Sequence, residues 1–82
     1  MQLPTIHTNG TDAETLVNDY MDAMDALLHA VNELERCAPN ARDYYVNGGD
    51  IQIAMIEHAD RIARIVTVRA EINQLAEHVA DA

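Results

Sequence analysis

The feature that most constrains this chain is the stretch from residue 50 to residue 80, which has more apolar surface than one neighbouring helix can cover. Seven of its polar side chains recur at steps of three and four and therefore occupy one stripe of a helix. The stripe consists of Glu57, Asp60, Arg64, Thr67, Glu71, Gln74 and His78. Most of the other positions are apolar, from Ile53 and Ile56 across to Val66. Apolar patches larger than a few hundred Å² normally mark an interface, so this stretch predicts a helix with more than one partner.

A second helix is predicted upstream, so that the chain forms a hairpin. Thr11 and Glu14 have the spacing of a capping box, which begins a helix. Apolar residues then recur at alternating steps of three and four from Val17 to Leu34. Pro39 disfavours helical geometry in the residue before it and ends this helix. The expected elements are a flexible or loosely docked arm at 1–10, a helix at about 11–37, a loop at about 38–49 and a helix at about 50–80.

The short length of the chain favours self-association. A chain of 82 residues buries only about 60% of the surface that it exposes when unfolded, and such chains need a disulfide, a metal or a partner for stability. Cys37 is the single cysteine, which excludes an internal disulfide. We therefore predict an all-α fold, in which residues 11–82 form a two-helix antiparallel hairpin that assembles into a homo-oligomeric helical bundle.

The charge of the chain argues against nucleic-acid polymers as partners. Fourteen Asp and Glu residues and five Arg residues give a formal net charge of −9. Affinity for nucleic-acid polymers comes mainly from cations that neutralise phosphates. All five cations are arginine, whose planar guanidinium suits carboxylate and phosphate groups. Codon bias in a GC-rich genome is the alternative explanation for the missing lysines.

The sequence also indicates a cytoplasmic protein. The first ten residues contain no basic residue and no apolar run, so no secretory signal is predicted. No stretch reaches the ~20 apolar residues that a membrane-spanning helix needs. A lone Cys37 fits a reducing compartment, and we expect it to be a buried or inert thiol.

The predicted loop contains the first candidate binding cluster, Arg42, Tyr44 and Tyr45. Two adjacent tyrosines in a loop bounded by Asn and Gly are large, rigid and half-polar, which suits stacking on a base or anchoring a partner. The alternative is a self-packed loop, in which one tyrosine caps the end of the bundle and Arg42 pairs with Asp43 or with a helix carboxylate.

The second candidate cluster, His58, Arg61 and Arg69, lies on the C-terminal helix. The spacing places these residues along one face, where His58 and Arg69 interrupt a seam that favours aliphatic side chains. One interpretation is that the cations converge at a subunit interface and bind a phosphate-bearing small molecule. In the alternative, Arg61 pairs with Glu57, Arg64 pairs with Asp60, and Arg69 sets the register against an acidic residue of the first helix.

Motifs for metal binding and catalysis are missing from the sequence. The four histidines form no HExxH motif, no paired Glu-x-x-His motif and no Cys/His cluster, so we predict no metal site. The chain contains no serine and nothing that resembles an activated triad. We therefore predict a non-enzymatic protein without a cofactor.

The segment from Pro39 to His78 carries a resemblance to known proteins. It reads Pro-Asn-Ala-Arg-Asp-Tyr-Tyr and continues after a short gap with Ala54, His58 and Arg61 on an aliphatic helix. In this half of the chain it resembles short helical-hairpin proteins of phages and prophages. In format the chain is similar to phage anti-defence sponges, which are small helical homo-oligomers that trap the nucleotide signals of CBASS or Thoeris immunity.

The resemblance implies a protein that sequesters a cyclic oligonucleotide or an ADP-ribose derivative in a pocket between subunits. It implies that arginines contact phosphates, that tyrosines stack on bases and that a histidine forms hydrogen bonds to ribose or phosphate. The residues that would do this are Arg42, Tyr44, Tyr45, His58, Arg61 and Arg69. A net charge of −9 repels anionic ligands at long range, so such a pocket needs to be sheltered and locally positive.

Two other classes of function fit the sequence. The acidic residues of the first helix could bind a host enzyme in place of DNA, which would make the protein an inhibitor or DNA mimic, although acidic faces opposite an apolar stripe are usually only solvated. Alternatively, the protein could be a phage structural or scaffold module that only self-associates or bridges partners.

Overall fold

The structure, a computed structural model, describes residues 1–81 and consists of two long helices joined by a loop. Helix α1 spans Ala13–Arg36, a 3-10 helix spans Ala41–Asp43, and helix α2 spans Ile51–Ala80. No strand occurs within residues 1–81. The predicted all-α hairpin is confirmed.

Helix α1 begins one residue later than the capping-box pattern indicates. The first backbone bond of the helix joins the amide of Leu16 to the carbonyl of Asp12, which makes Asp12 the N-cap residue. Glu14 is then one position too early to complete a capping box, which needs Glu or Gln three residues after the cap. The predicted role of Thr11 is therefore wrong, and Asp12 itself forms no side-chain capping bond.

Helix α2 begins with the side-chain cap that α1 lacks. One carboxylate oxygen of Asp50 accepts hydrogen bonds from the amides of Gln52, at 2.8 Å, and Ile53, at 3.3 Å. These amides belong to the first turn, where backbone donors have no partner within the helix. The helix then runs for 30 residues to Ala80 without an interruption.

The two helices pack antiparallel. Leu34 lies beside His58 and Met24 lies beside Arg69, so residue numbers fall along α1 in the direction in which they rise along α2. The hydrophobic core between them is small, since its buried members are Val31, Ala54, Ala76 and Val79. Two of these four residues are alanines, so the hairpin buries little apolar volume of its own.

The N-terminal arm lies along α2. The carbonyl of Pro4 accepts a hydrogen bond from Nε2 of His78 at 3.0 Å, and both Pro4 and Ile6 are half-buried. Met1 borders the same surface depression as Thr67 and Gln74. The arm therefore covers the C-terminal part of the polar stripe of α2, on the side away from α1.

The molecule is a rod. It measures 61 × 20 × 18 Å and has a radius of gyration of 18.3 Å, whereas a compact domain of this length has one of about 12 Å. Within residues 1–81 neither helix combines the length and the apolar character needed to cross a membrane.

Candidate functional site

The loop end of the hairpin presents Arg42, Tyr44 and Tyr45. Arg42 belongs to the 3-10 helix and is exposed, Tyr44 is half-buried, and Tyr45 has 73% of its surface exposed. Val46, which follows, is 72% exposed. An aromatic ring, an aliphatic side chain and a guanidinium are thus open to solvent at one end of the rod.

Local hydrogen bonds and two glycines shape this loop. Nδ2 of Asn40 donates to the carboxylate of Asp43 at 3.0 Å, so Asp43 is paired with Asn40 and not with Arg42 as one alternative supposed. Gly48 has a φ of +72°, in the left-handed region that favours glycine. A Cβ on Gly49 would lie 2.6 Å from the carbonyl oxygen of Tyr44. The chain therefore needs glycine at both positions to return into α2.

His58 does not line an open pocket. Only 8% of its surface is exposed, and its Nε2 lies 2.7 Å from the carbonyl oxygen of Leu34, near the end of α1. Because a carbonyl only accepts, Nε2 carries the proton and donates. Carbonyls in the last turn of a helix have no amide donor four residues further along the same helix, so His58 supplies a capping donor from the neighbouring helix. The same carbonyl also accepts from the amide of Cys37 at 3.2 Å.

Arg69 is likewise engaged by the backbone of α1. It is half-buried, and its Nε donates to the carbonyl of Met24 at 3.0 Å. The sequence-based alternative paired Arg69 with an acidic residue of the first helix. The first helix is indeed the partner, but the acceptor is the backbone carbonyl of Met24 and not a carboxylate. A carbonyl in mid-helix has a second lone pair that accepts such a bond without breaking the helix. The bond therefore requires only that Arg69 of α2 lie opposite Met24 of α1 along the hairpin.

Arg61 and Arg64 lie on the exposed part of α2. Arg64 forms the predicted pair with Asp60 at 3.1 Å, and both side chains are more than 65% exposed. Arg61 is exposed and forms no ion pair with Glu57, against the sequence-based alternative. Exposed pairs of this kind contribute about 0–1 kcal/mol, so they do not hold the hairpin together.

The six candidate ligand-binding residues do not converge within the chain. Arg42, Tyr44 and Tyr45 belong to the loop, whereas His58 and Arg69 are eleven residues apart on α2, which is about 16 Å along a helix. His58 and Arg69 each use a ring or guanidinium nitrogen to bind α1. The exposed members of the set are Arg42, Tyr45 and Arg61, and Tyr44, next to Tyr45 in the loop, is half-buried.

The remaining reactive side chains form no cluster. Among residues 1–81 no group of three or more His, Cys, Asp or Glu side chains is placed to hold a metal ion. Cys37 was expected to be a buried or inert thiol. It is exposed, so it is not buried, and its Sγ lies 3.3 Å from the carbonyl oxygen of Leu34.

A surface groove between the helices is the feature that sequence reasoning did not locate. On one side of the hairpin, Met21, Met24 and Leu28 of α1 lie opposite Val66 and Ala70 of α2. The sequence showed that α2 has excess apolar surface, but it did not show on which side of the hairpin this surface joins α1. The periodic pattern of α1 contained a signal, because Met21 and Leu28 lie beside its main stripe.

The chain has no significant match among protein-family models, curated proteins or solved structures. Function is therefore inferred from the residues and their geometry.

Proposed function

We propose that this protein is a non-enzymatic binding module that works as a homo-oligomer, in which hairpins complete one another's hydrophobic core. The observation that supports the proposal is the excess of exposed surface. The described chain exposes 6156 Å², whereas a folded monomer of 9.1 kDa exposes about 4,900 Å². The difference, about 1,250 Å², is more than the ~800 Å² that each partner buries in a standard protein interface.

Much of this exposed surface is apolar. Eleven large hydrophobic side chains are at least 43% exposed. They are Met1, Leu3, Met21, Leu28, Tyr45, Val46, Ile53, Met55, Ile56, Val66 and Val68. Single exposed apolar residues are normal on a protein surface, but contiguous patches mark interaction sites. Five of the eleven lie on α2, the helix whose circumference exceeds what α1 covers.

The small intrachain core supports the same proposal. The buried hydrophobic residues of the hairpin are two valines and two alanines. Chains of this size have a small free energy of unfolding even when their core is well packed. Symmetric association of hairpins into a four-helix bundle or a closed ring buries the same patch on every copy.

Sedimentation equilibrium and native mass spectrometry test this proposal. We expect a mass of two or more subunits at micromolar concentration, with high helical content by circular dichroism. A single subunit that is fully folded at micromolar concentration would contradict the proposal, because the exposed apolar surface would then be tolerated without a partner.

A second candidate function concerns the loop end. We propose that Arg42, Tyr44 and Tyr45 contribute to a site for a phosphate-bearing nucleotide, as the resemblance to phage sponges implies, and that the protein sequesters such a signal in the host cytoplasm. The specific observation in its favour is the 73% exposure of Tyr45 beside an exposed arginine. Exposed aromatic rings stack on bases, and guanidinium groups bind phosphates. His58 and Arg69 would contribute indirectly, since both already bind α1.

A thermal-shift screen against cyclic oligonucleotides and ADP-ribose derivatives tests the second candidate. A ligand that binds only the folded state raises the melting temperature by an amount that grows with ligand excess. Arg42→Ala and Tyr45→Ala should abolish the shift, whereas Arg36→Ala, which removes an exposed arginine paired with Glu33, should not. Equal shifts in all three variants, or no shift with any of these ligands, would reject the loop site.

A further inference from the structure

One side of the hairpin carries a continuous apolar groove. Two stretches of groove adjoin and share Met24 and Asn73 as lining residues. One stretch reaches Val31 and Val66 in the middle of the rod, and the other reaches Ala80 at the end of α2. We call this side of the molecule, from Ala80 past Val66, the groove face.

The groove face extends along α2 towards the loop. Met55 precedes Val66 by eleven residues, which is three turns of a helix, so the two side chains project in nearly the same direction. Met55 is 50% exposed and Val66 is 51% exposed. On α1 the face contains Met21, 54% exposed, and Leu28, 46% exposed. Half-exposed apolar side chains therefore continue along both helices.

Few charged side chains line the groove. Of the fourteen Asp and Glu residues in the chain, Glu77 is the one that lines it, near the end of the rod. Arg69 lines the other stretch and supplies a compensating positive charge. Two copies with a net charge of −9 repel each other, so they associate best through a face that brings few carboxylates together.

The size of the groove face matches a stable interface. From Met55 to Ala80 the face is about 37 Å long at the rise of an α-helix, and the hairpin is 20 Å wide. Such a face covers roughly 700 Å², close to the ~800 Å² that each partner contributes to a standard interface. Methionines suit this face because their flexible side chains fill irregular gaps between helices.

We infer that the groove face packs against the same face of a second copy, so that Met21, Leu28 and Val66 of both subunits form the core of a four-helix bundle. This inference rests on the proposed self-association and assigns the surface that carries it. A two-fold axis through the face makes the contact self-complementary and covers the groove on both copies. The loop end, with Arg42 and Tyr45, lies outside this contact.

A matched pair of substitutions tests the inference. Val66→Glu places a carboxylate in the groove face, whereas Val68→Glu places one on the outer surface of α2, where Val68 borders Asp60 and Arg64. The two valines are on the same helix and have similar exposure, 51% and 45%. By sedimentation equilibrium, Val66→Glu should weaken association at least tenfold, and Val68→Glu should leave it within about twofold of wild type.

The outcomes separate the inference from the proposed function. If wild type associates and Val66→Glu associates equally well, the groove face is not the interface, although self-association stands. If Val68→Glu alone dissociates, the outer surface of α2 is the interface instead. If wild type is a folded single subunit at micromolar concentration, the proposed function fails and the inference fails with it.

Thiol protection provides a second test that does not depend on the folding of a charged variant. In a Cys37→Ser background, Val66→Cys should react with maleimide at least tenfold more slowly in the associated state than after dilution. Val68→Cys, at a position outside the proposed contact, should show much weaker protection on association than Val66→Cys. Equal protection of the two positions would overturn the assignment of the groove face.

Discussion

At the scale of single residues, two polar side chains of α2 connect the helices through the backbone of α1. His58 donates to the carbonyl of Leu34, and Arg69 donates to the carbonyl of Met24. Neither bond depends on the identity of the α1 side chain at that position. Both bonds instead require the two helices to keep their axial register, because a shift of one residue would move each donor about 1.5 Å along the partner helix. The two residues therefore specify how the hairpin aligns.

Substitution of His58 tests this structural role. We expect His58→Ala to lower the free energy of unfolding by about 2–3 kcal/mol, because the variant loses a hydrogen bond and leaves a cavity in a buried position. His29→Ala, at an exposed position of α1, should change it by less than about 0.5 kcal/mol. Urea denaturation followed by circular dichroism, at one fixed subunit concentration, measures both values. A His58→Ala variant as stable as wild type would mean that the bond to Leu34 contributes little.

Arg69 is compared with Arg64, a second arginine on the same helix. Arg69→Ala should lower the free energy of unfolding by about 1–3 kcal/mol, since a hydrogen bond from a charged donor and the packing of the side-chain stem are both lost. Arg64→Ala removes an exposed ion pair with Asp60 and should lower it by at most about 1 kcal/mol. Chemical denaturation of the two variants in parallel distinguishes them. Equal effects would indicate that the bond to Met24 does not stabilise the hairpin.

At the scale of the helices, the two N-termini differ although both have an aspartate as the N-cap. The carboxylate of Asp50 accepts two amide hydrogen bonds, whereas Asp12 forms none. Asp50 follows two glycines that let the loop turn tightly into α2, which positions its side chain over the first turn. The residue type is the same, so the difference arises from how the preceding chain enters each helix.

This difference predicts unequal costs of removing the two caps. Asp50→Ala should lower the free energy of unfolding by about 1 kcal/mol, the usual cost of losing a side-chain cap. Asp12→Ala should cost only a few tenths of a kcal/mol, because it removes a charge near the helix dipole but no capping bond. Both variants carry the same substitution at equivalent positions, so their difference in urea midpoint isolates the hydrogen bonds. A larger effect for Asp12→Ala would contradict this assignment of the caps.

The helices themselves were predictable from the sequence, whereas their ends were less so. The periodic apolar residues of α1 and α2 indicated two long helices, and both are present. The capping-box spacing of Thr11 and Glu14 misplaced the start of α1, because Asp12 accepts the first helical hydrogen bond and Glu14 is then only two residues after the cap. The bond between His78 and Pro4, which holds the arm, had no sequence signal because its acceptor is a backbone carbonyl.

At the scale of the whole molecule, the rod has too little core for its surface. Its radius of gyration of 18.3 Å reflects a single layer of two long helices, and residues 1–81 contain no second layer to cover them. The proposed bundle would supply that layer from a second subunit. Folding and association would then be coupled, as they are in obligate oligomers whose separate subunits have no stable folded state.

Coupled folding and association predicts that thermal stability depends on protein concentration. A tenfold increase in subunit concentration stabilises a dimer by about 1.4 kcal/mol, which for a folded unit of this combined size raises the melting temperature by roughly 3–6 °C. Circular dichroism melts over a hundredfold range of concentration measure the shift. A melting temperature that is independent of concentration would indicate that each hairpin unfolds on its own.

The sequence by itself determined the two helices, the loop between them and the excess of apolar surface on α2, because these follow from the spacing of residues along the chain. The tertiary structure decided which backbone carbonyls accept hydrogen bonds from His58 and Arg69. It also placed Met21, Leu28 and Val66 on one groove face. Both results depend on the axial register and relative rotation of the two helices. Periodicity within each helix leaves these quantities undetermined, since they arise only when the side chains of one helix pack against those of the other.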